Sequence, residues 1–253
     1  MSNSINSKGL MSIVCKNLTI SFNRHPIIHH LNCEFKMNTS TAIIGSNGAG
    51  KSTLLKALIG LISPESGSIE LSSITNQDIS YLPQINDLDL SMPLTVEDLV
   101  LIGSWHNIGL FHKPKSDYLS QINYALNEVG LYNFNKKYIN ELSSGQLQRV
   151  LFARIILQNS KIVILDEPFN AIDNETTNDL LKLLKKWETK YQKTVITVLH
   201  DMKQVKDYFN YTLFLSKKLA VYDTTQNIFN NAKISLTNGL NINYDDNVIC
   251  SIK

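Results

Sequence analysis

The chain has 253 residues, a net charge of +2 and an apolar fraction of 43%, enough for one compact α/β body with a small subdomain or at most two modest domains. Its arginines, Arg24, Arg149 and Arg154, form no basic stripe, so nucleic acid is not an expected partner. Cys15, Cys33 and Cys250 are odd in number and lack metal-ligand spacing, which suits reduced thiols. MSNSINSKGL has no apolar signal core, and no apolar run nears the roughly 18 residues of a membrane helix, so any work at a membrane is expected from its aqueous side.

Residues 1–10 read as a loose tail. From Ser12 the chain alternates as strands do, with Leu18, Ile20 and Phe22 on one face, then Leu31, Cys33 and Phe35 on one face of a second strand. Thr41–Gly45 is a short buried strand running into a Gly-rich turn. Ser52–Leu61 follows helical spacing through Leu54, Leu55, Leu58 and Ile59, with Pro64 and Gly67 closing it. Ser68–Leu71 and Ile79–Leu82 read as strands. The texture then turns helical over about 85–160: Thr95 and Asp98 make a capping pattern, and Ser116–Asp117 open a helix with Leu119, Ile122, Leu126 and Val129 inward and Gly130 at its end. Strand rhythm returns at Lys161–Leu165, followed by an amphipathic helix over Thr176–Lys190 and a buried strand over Thr194–Leu199. Strands alternating with helices imply a mostly parallel sheet covered on both faces. Residues 226–253 are polar and weakly patterned, and no role is assigned to them.

Three segments carry chemistry. Gly45–Ser52 (GSNGAGKS) matches the G-x-x-x-x-G-K-[ST] phosphate loop, set between a buried strand and a helix. Gly45, Ser46, Asn47, Gly48, Ala49 and Gly50 would wrap phosphate oxygens with backbone N–H groups; Lys51 would reach the β- and γ-phosphates, Ser52 would hold Mg²⁺ through its hydroxyl, and Thr53 beside it would belong to the phosphate-binding set. Ile162–Glu167 ends an apolar strand in two carboxylates, Asp166 on the metal side and Glu167 as general base toward a water aimed at the γ-phosphate. Leu142–Arg149 opens a helix with a hydroxyl residue and a glycine, a second anion site, which suggests a nucleotide clamped between two copies of the chain.

Taken in order, GSNGAGKST, YLPQ, LSSGQLQRV, ILDEP and a late LHD resemble the ATP-binding-cassette family over about residues 11–225. The resemblance implies an α/β phosphate-loop NTPase core with a mostly parallel sheet, an N-terminal antiparallel β subdomain and an inserted helical subdomain. It implies ATP hydrolysis with ATP and Mg²⁺. It further implies that Gln84 senses Mg²⁺ and the attacking water, that Ser143, Ser144, Gly145 and Gln146 form the signature facing the γ-phosphate on the partner chain, and that Asn170–Asp173 form the dimer-crossing loop. His200 would be the switch histidine holding the γ-phosphate and Glu167 in register, and Phe22 the aromatic stacked on adenine. Three positions depart from the family pattern: Ser144 stands for the first signature glycine, Asn170 for serine in the crossing loop, and Phe22 for tyrosine, which keeps the stacking face. None removes a catalytic group.

Within the family, Met92–Gly103 followed by Gly109-Leu110-Phe111 and Pro114 is similar to the zinc/manganese/iron importer branch, with the haem and siderophore branch adjacent. The implied partners are a second copy of the chain, integral membrane permease subunits and, indirectly, an extracytoplasmic binding protein. The implied place is cytoplasmic, peripheral on the inner membrane. The segment from Gln84 to Pro114, with Leu88, Leu90, Met92, Trp105, Leu110 and Phe111, is expected to form a groove for a short permease helix. The stretch between Gly50 and Ser143 is too short for a long coiled coil and carries no heptads, which disfavours a chromosome-type relative. His25, His29 and His30 read as a solvated face, as do Lys185 and Lys186.

Overall fold

A computed structural model describes residues 12–22, 25–85, 92–105, 117–217 and 219–230; the side chain of Phe22 lies outside that description. In chain order the elements are β1 (Ser12–Phe22), β2 (His25–Phe35), β3 (Ser40–Ile44), α1 (Lys51–Leu58), β4 (Ser66–Ser72), β5 (Ile79–Leu82), α2 (Val96–Leu101), α3 (Asp117–Glu128), α4 (Ser144–Gln158), β6 (Ile162–Leu165), α5 (Asn174–Thr189), β7 (Thr194–Val198), α6 (Met202–Tyr208), β8 (Tyr211–Leu215), β9 (Ala220–Thr224) and α7 (Thr225–Asn230). The chain divides into two compact units. One takes in the described residues up to Asn76 and from His200 onward; the other is Gln77–Leu199.

In the first unit β1 pairs antiparallel with both β2 and β4. Ile13, Cys15, Leu18 and Ile20 of β1 and Ile28, Leu31, Cys33 and Phe35 of β2 are buried, as the alternation predicts. Cys15 and Cys33, far apart in sequence, become direct cross-strand neighbours, and both are free thiols. The Cys15 sulfur beside it and then burial push the Cys33 thiol well above its usual range, which keeps it protonated and unreactive. β3 is wholly buried and runs parallel to β8, which β9 borders in antiparallel fashion. Tyr222 of β9 stacks on Tyr211 of β8 and meets Phe35 edge-on.

α1 is shorter than its apolar spacing predicts. It stops at Leu58 because Gly60 takes φ 77°, sending its N–H to Ala57 O while the Leu61 N–H reaches Lys56 O. Such a glycine closure satisfies the last carbonyls before the apolar pattern runs out. Leu61 is therefore exposed. Gly67 lies in β4 rather than in the helix stop, where a Cβ would sit 2.2 Å from Asn17 O.

The second unit holds β5, β6 and β7 in parallel register, together with the helical stretch expected over about 85–160. Thr95 caps α2 by the reciprocal arrangement read from sequence: Asp98 N–H donates to Thr95 Oγ1 (3.2 Å) and Thr95 N–H to Asp98 Oδ2 (2.9 Å). In α3 Ile122, Ala125 and Leu126 face inward, whereas Leu119 is 51% exposed, against the expected pattern. α4 is buried nearly all round, by Leu147, Val150, Leu151, Phe152, Ala153, Ile155 and Leu157 together with Gln148, which makes it the central helix of this unit. α5 buries Leu180, Leu181, Leu184 and Trp187; Lys185 and Lys186 are half-buried and paired with Glu188 (2.9 Å) and Glu128 (2.5 Å) rather than simply solvated.

Candidate functional site: a phosphate loop, a carboxylate pair and a capped signature helix

The phosphate loop lies in the first unit, between β3 and α1. Gly45 (φ 152°), Gly48 (φ 76°) and Gly50 (φ 92°) take left-handed conformations that side chains avoid, and a Cβ on Gly45 would meet Leu215 O at 1.8 Å. Gly50 caps α1 with no side-chain hydrogen bond, and a helix start of this kind favours a negatively charged ligand. Lys51 is buried at 5% exposure, and its Nζ donates to Gly45 O (3.0 Å) and Ser46 O (3.1 Å), which keeps the ammonium at the loop's own backbone. Ser46, Asn47 and Gly48 are exposed, Ala49 is buried, and Ser52 and Thr53 are half-buried on the first turn of α1. In the same unit β1 ends at Phe22, and His200 is exposed beside Asp201, which caps α6 by accepting from Lys203 N–H (2.8 Å) and Gln204 N–H (3.2 Å).

In the second unit β6 delivers its two carboxylates in different environments. Asp166 is 1% exposed, and its N–H continues the sheet by donating to Leu82 O (2.9 Å). Glu167 is half-buried and holds φ 50°, a left-handed backbone just past the end of the strand. Its Oε2 accepts from Asn170 Nδ2. Gln84 follows β5 two residues past its end and is half-buried.

The signature opens α4. Ser143 caps it, accepting from Gln146 N–H (3.2 Å) while Gln146 Oε1 takes the Ser143 N–H (3.2 Å). Ser143 and Ser144 are exposed, Gly145 is buried, and a Cβ on Gly145 would lie 3.2 Å from Asp173 Oδ2 and Thr176 Oγ1. Asp173 caps α5, with Oδ1 accepting from Thr176 N–H and Oδ2 from Thr176 Oγ1, both at 2.8 Å. Those donors hold its carboxyl below the usual range. Ser144 Oγ donates to Ala171 O (2.9 Å), so the residue that departs from the common signature glycine is tied to the turn that precedes α5.

The family model described as "ABC transporter" matches residues 28–170, which take in the phosphate loop, the signature and the carboxylate pair. The chain belongs to the ABC transporter family. Membership makes it an ATP hydrolase of the cassette type. It is 35% identical to the manganese transport system ATP-binding protein MntB of Bacillus subtilis over 227 residues, 88% of this chain and 90% of that one. It is also 35% identical to the zinc transport system ATP-binding protein TroB of Treponema pallidum over 80% of this chain and 77% of that one. A solved inward-facing ABC transporter assigned to the metal-chelate type matches with a TM-score of 0.80 at 31% identity, over 89% of this chain and 87% of that chain.

His25 and His29 are exposed, His30 Nδ1 sits 2.8 Å from Asn17 Oδ1, and no group of three ligating side chains is placed for a metal among the described residues. Among those residues no helix is long and apolar enough to cross a membrane. Of the groove residues, Met92 and Trp105 are exposed at 53% and 52%, while Leu88, Leu90, Gly109, Leu110, Phe111 and Pro114 lie outside the described residues. In the sequence Asn170 stands as the first residue of the expected crossing loop and as a departure from its usual serine, without a link to Glu167. Its signal was an Asn three residues after an acid, the short-range spacing at which such side chains reach back along the chain.

Proposed function

We propose that this cassette powers import of a divalent transition metal, manganese, zinc or iron, as a homodimer working on a separate permease from the cytoplasmic face of the membrane. The observation that carries this is 35% identity over most of the chain to ATP-binding subunits named for manganese and zinc transport in two bacteria. Import of a metal chelate is the second reading, favoured by the likeness to the metal-chelate transporter.

In this reading the backbone N–H groups of Gly45–Gly50 and the ammonium of Lys51 bind the β- and γ-phosphates, and Phe22 stacks on adenine. Ser52, Asp166 and Gln84 supply hydroxyl, carboxylate and amide oxygens, the hard donor set that suits Mg²⁺, and a carboxylate as buried as Asp166 suits a cation. Mg²⁺, when bound, neutralises charge on the phosphates. Glu167 accepts the proton of the attacking water, and His200 donates to the γ-phosphate oxygens. Ser143, Ser144, Gly145 and Gln146 take the γ-phosphate held by the partner chain. The starts of α1 and α4 each favour an anion through the helix dipole, which supports a nucleotide shared between copies. Asp173 orders the crossing loop by capping α5.

The test is reconstitution of the cassette with its permease and binding protein in vesicles. ATP-dependent uptake of Mn²⁺ or Zn²⁺ that disappears with the Glu167→Gln subunit supports the proposal. Uptake of haem or a siderophore complex with no response to free divalent metal would sink it.

A further inference from the structure

Within Gln77–Leu199, the segment from Glu167 to Asp173 is held from several sides. Glu167 (φ 50°) and Ala171 (φ 58°) are left-handed non-glycine residues within one short turn, a backbone that persists only where its surroundings over-determine it. Most of the anchors come from α4. Phe169 stacks on Phe152, ring centroids 6.4 Å apart at 30°, and Phe152 is fully buried with Trp187 stacked on it at 5.6 Å. Ser144 Oγ holds Ala171 O, and Gly145 lets Asp173 come close. On this fixed turn Asn170 N–H bonds back to Glu167 O (3.3 Å), and Asn170 Nδ2 donates to Glu167 Oε2.

A glutamate has three side-chain torsions, and a base that must meet one water profits from having them restricted. A neutral amide donor does this without cancelling the carboxylate's charge, which a lysine in its place would do. A serine at position 170 ends one atom shorter than the asparagine amide and would not span the same gap. We propose that Asn170 is a positioning residue: its amide holds one carboxylate oxygen of Glu167, so that the other takes the water's proton, on a loop that α4 keeps rigid. This rests on the reading of Glu167 as the general base.

The experiment measures steady-state ATPase of the isolated chain for Asn170→Ala, Asn170→Asp and Asn170→Gln beside Glu167→Gln, with melting temperature and ATP KM for each. Loss of the donor is expected to lower kcat by about 10- to 100-fold, the scale of a small misplacement of a reacting group, with KM and melting temperature unchanged. Asn170→Asp, isosteric but repelling Glu167, should fall below Asn170→Ala, and Asn170→Gln, which keeps the donor, should recover part of the rate. In the Glu167→Gln background, adding Asn170→Ala should leave the single-turnover rate within about twofold, because the two residues act as one unit. Wild-type kcat in Asn170→Ala and Asn170→Asp, with Glu167→Gln inactive, overturns the positioning role and leaves the base standing. Loss of kcat in step with melting temperature also overturns it, in favour of a structural role. Wild-type turnover in Glu167→Gln removes both.

Discussion

Alanine placed at each glycine of the phosphate loop separates steric demand from backbone demand. At Gly45 both apply: the φ of 152° disfavours a side chain, and the new Cβ would lie 1.8 Å from Leu215 O at the end of β8. An ordinary contact needs nearly twice that distance, so either the loop or the β3–β8 pairing at Ile44 and Phe214 must move. Overpacking of this kind costs about 1–3 kcal/mol, and the left-handed backbone adds roughly 1–2 kcal/mol. At about 2–4 °C per kcal/mol for a chain of this size, Gly45→Ala should melt roughly 4–20 °C below wild type. Gly48 has φ 76° and nothing within 4 Å of the place its Cβ would take, so only the backbone cost applies and the fall should be about 2–8 °C. Gly50 falls between them, since its Cβ would press on Ile27 Cγ2 (2.7 Å) and Ile28 Cγ1 (3.0 Å), side-chain ends that can turn. The assay is thermal unfolding followed by circular dichroism without nucleotide, because bound ATP would add its own stabilisation. Equal melting of Gly45→Ala and Gly48→Ala, or Gly45→Ala within about 2 °C of wild type, roughly the melting shift of a single kcal/mol, refutes the argument.

Glu167→Gln should keep ATP binding and lower turnover about 10²–10⁴-fold or more; in that background sedimentation with Mg-ATP should show dimer, and without nucleotide mostly monomer, whereas a monomer at high protein and ATP concentration counts against the shared site. Met92→Glu and Trp105→Glu, at exposed apolar positions, should weaken co-purification with the permease while leaving melting temperature and basal ATPase near wild type; unfolding instead would assign both to packing. The Asp173 carboxyl is held below its usual range by its hydrogen bonds at the start of α5, so its contribution is present above the ordinary Asp pKa and lost as pH falls through the lowered one. Asp173→Asn should therefore flatten acid unfolding in that window, and an unchanged acid limb would contradict the cap.

Much of this protein is written locally. The phosphate loop is readable because glycines at fixed spacing, a lysine and a hydroxyl must be adjacent in the chain to wrap one phosphate group. The caps at Thr95 and Ser143 close within three residues, and the alternation of β1 and β2 reports which face is buried. The order of these pieces along the chain is enough to point to the cassette family. What lies beyond that reading depends on partners distant in sequence. Cys15 and Cys33 meet only because β1 pairs with β2, and Leu119 stays exposed because burial in α3 depends on what packs against it rather than on period alone. α4 is surrounded because other elements close over its polar-looking face, Gln148 included. β8 and β9 go unread beside an uninformative tail, although Leu215 is what obliges residue 45 to be glycine. The hold on Glu167 is likewise tertiary: Asn170 is near in sequence, but the turn that aims it is shaped by Phe152 and Ser144, which pack from a helix that ends before the strand begins. Local geometry and chemistry are set by residues within one turn of each other, whereas burial and aim are set by neighbours that only folding brings close.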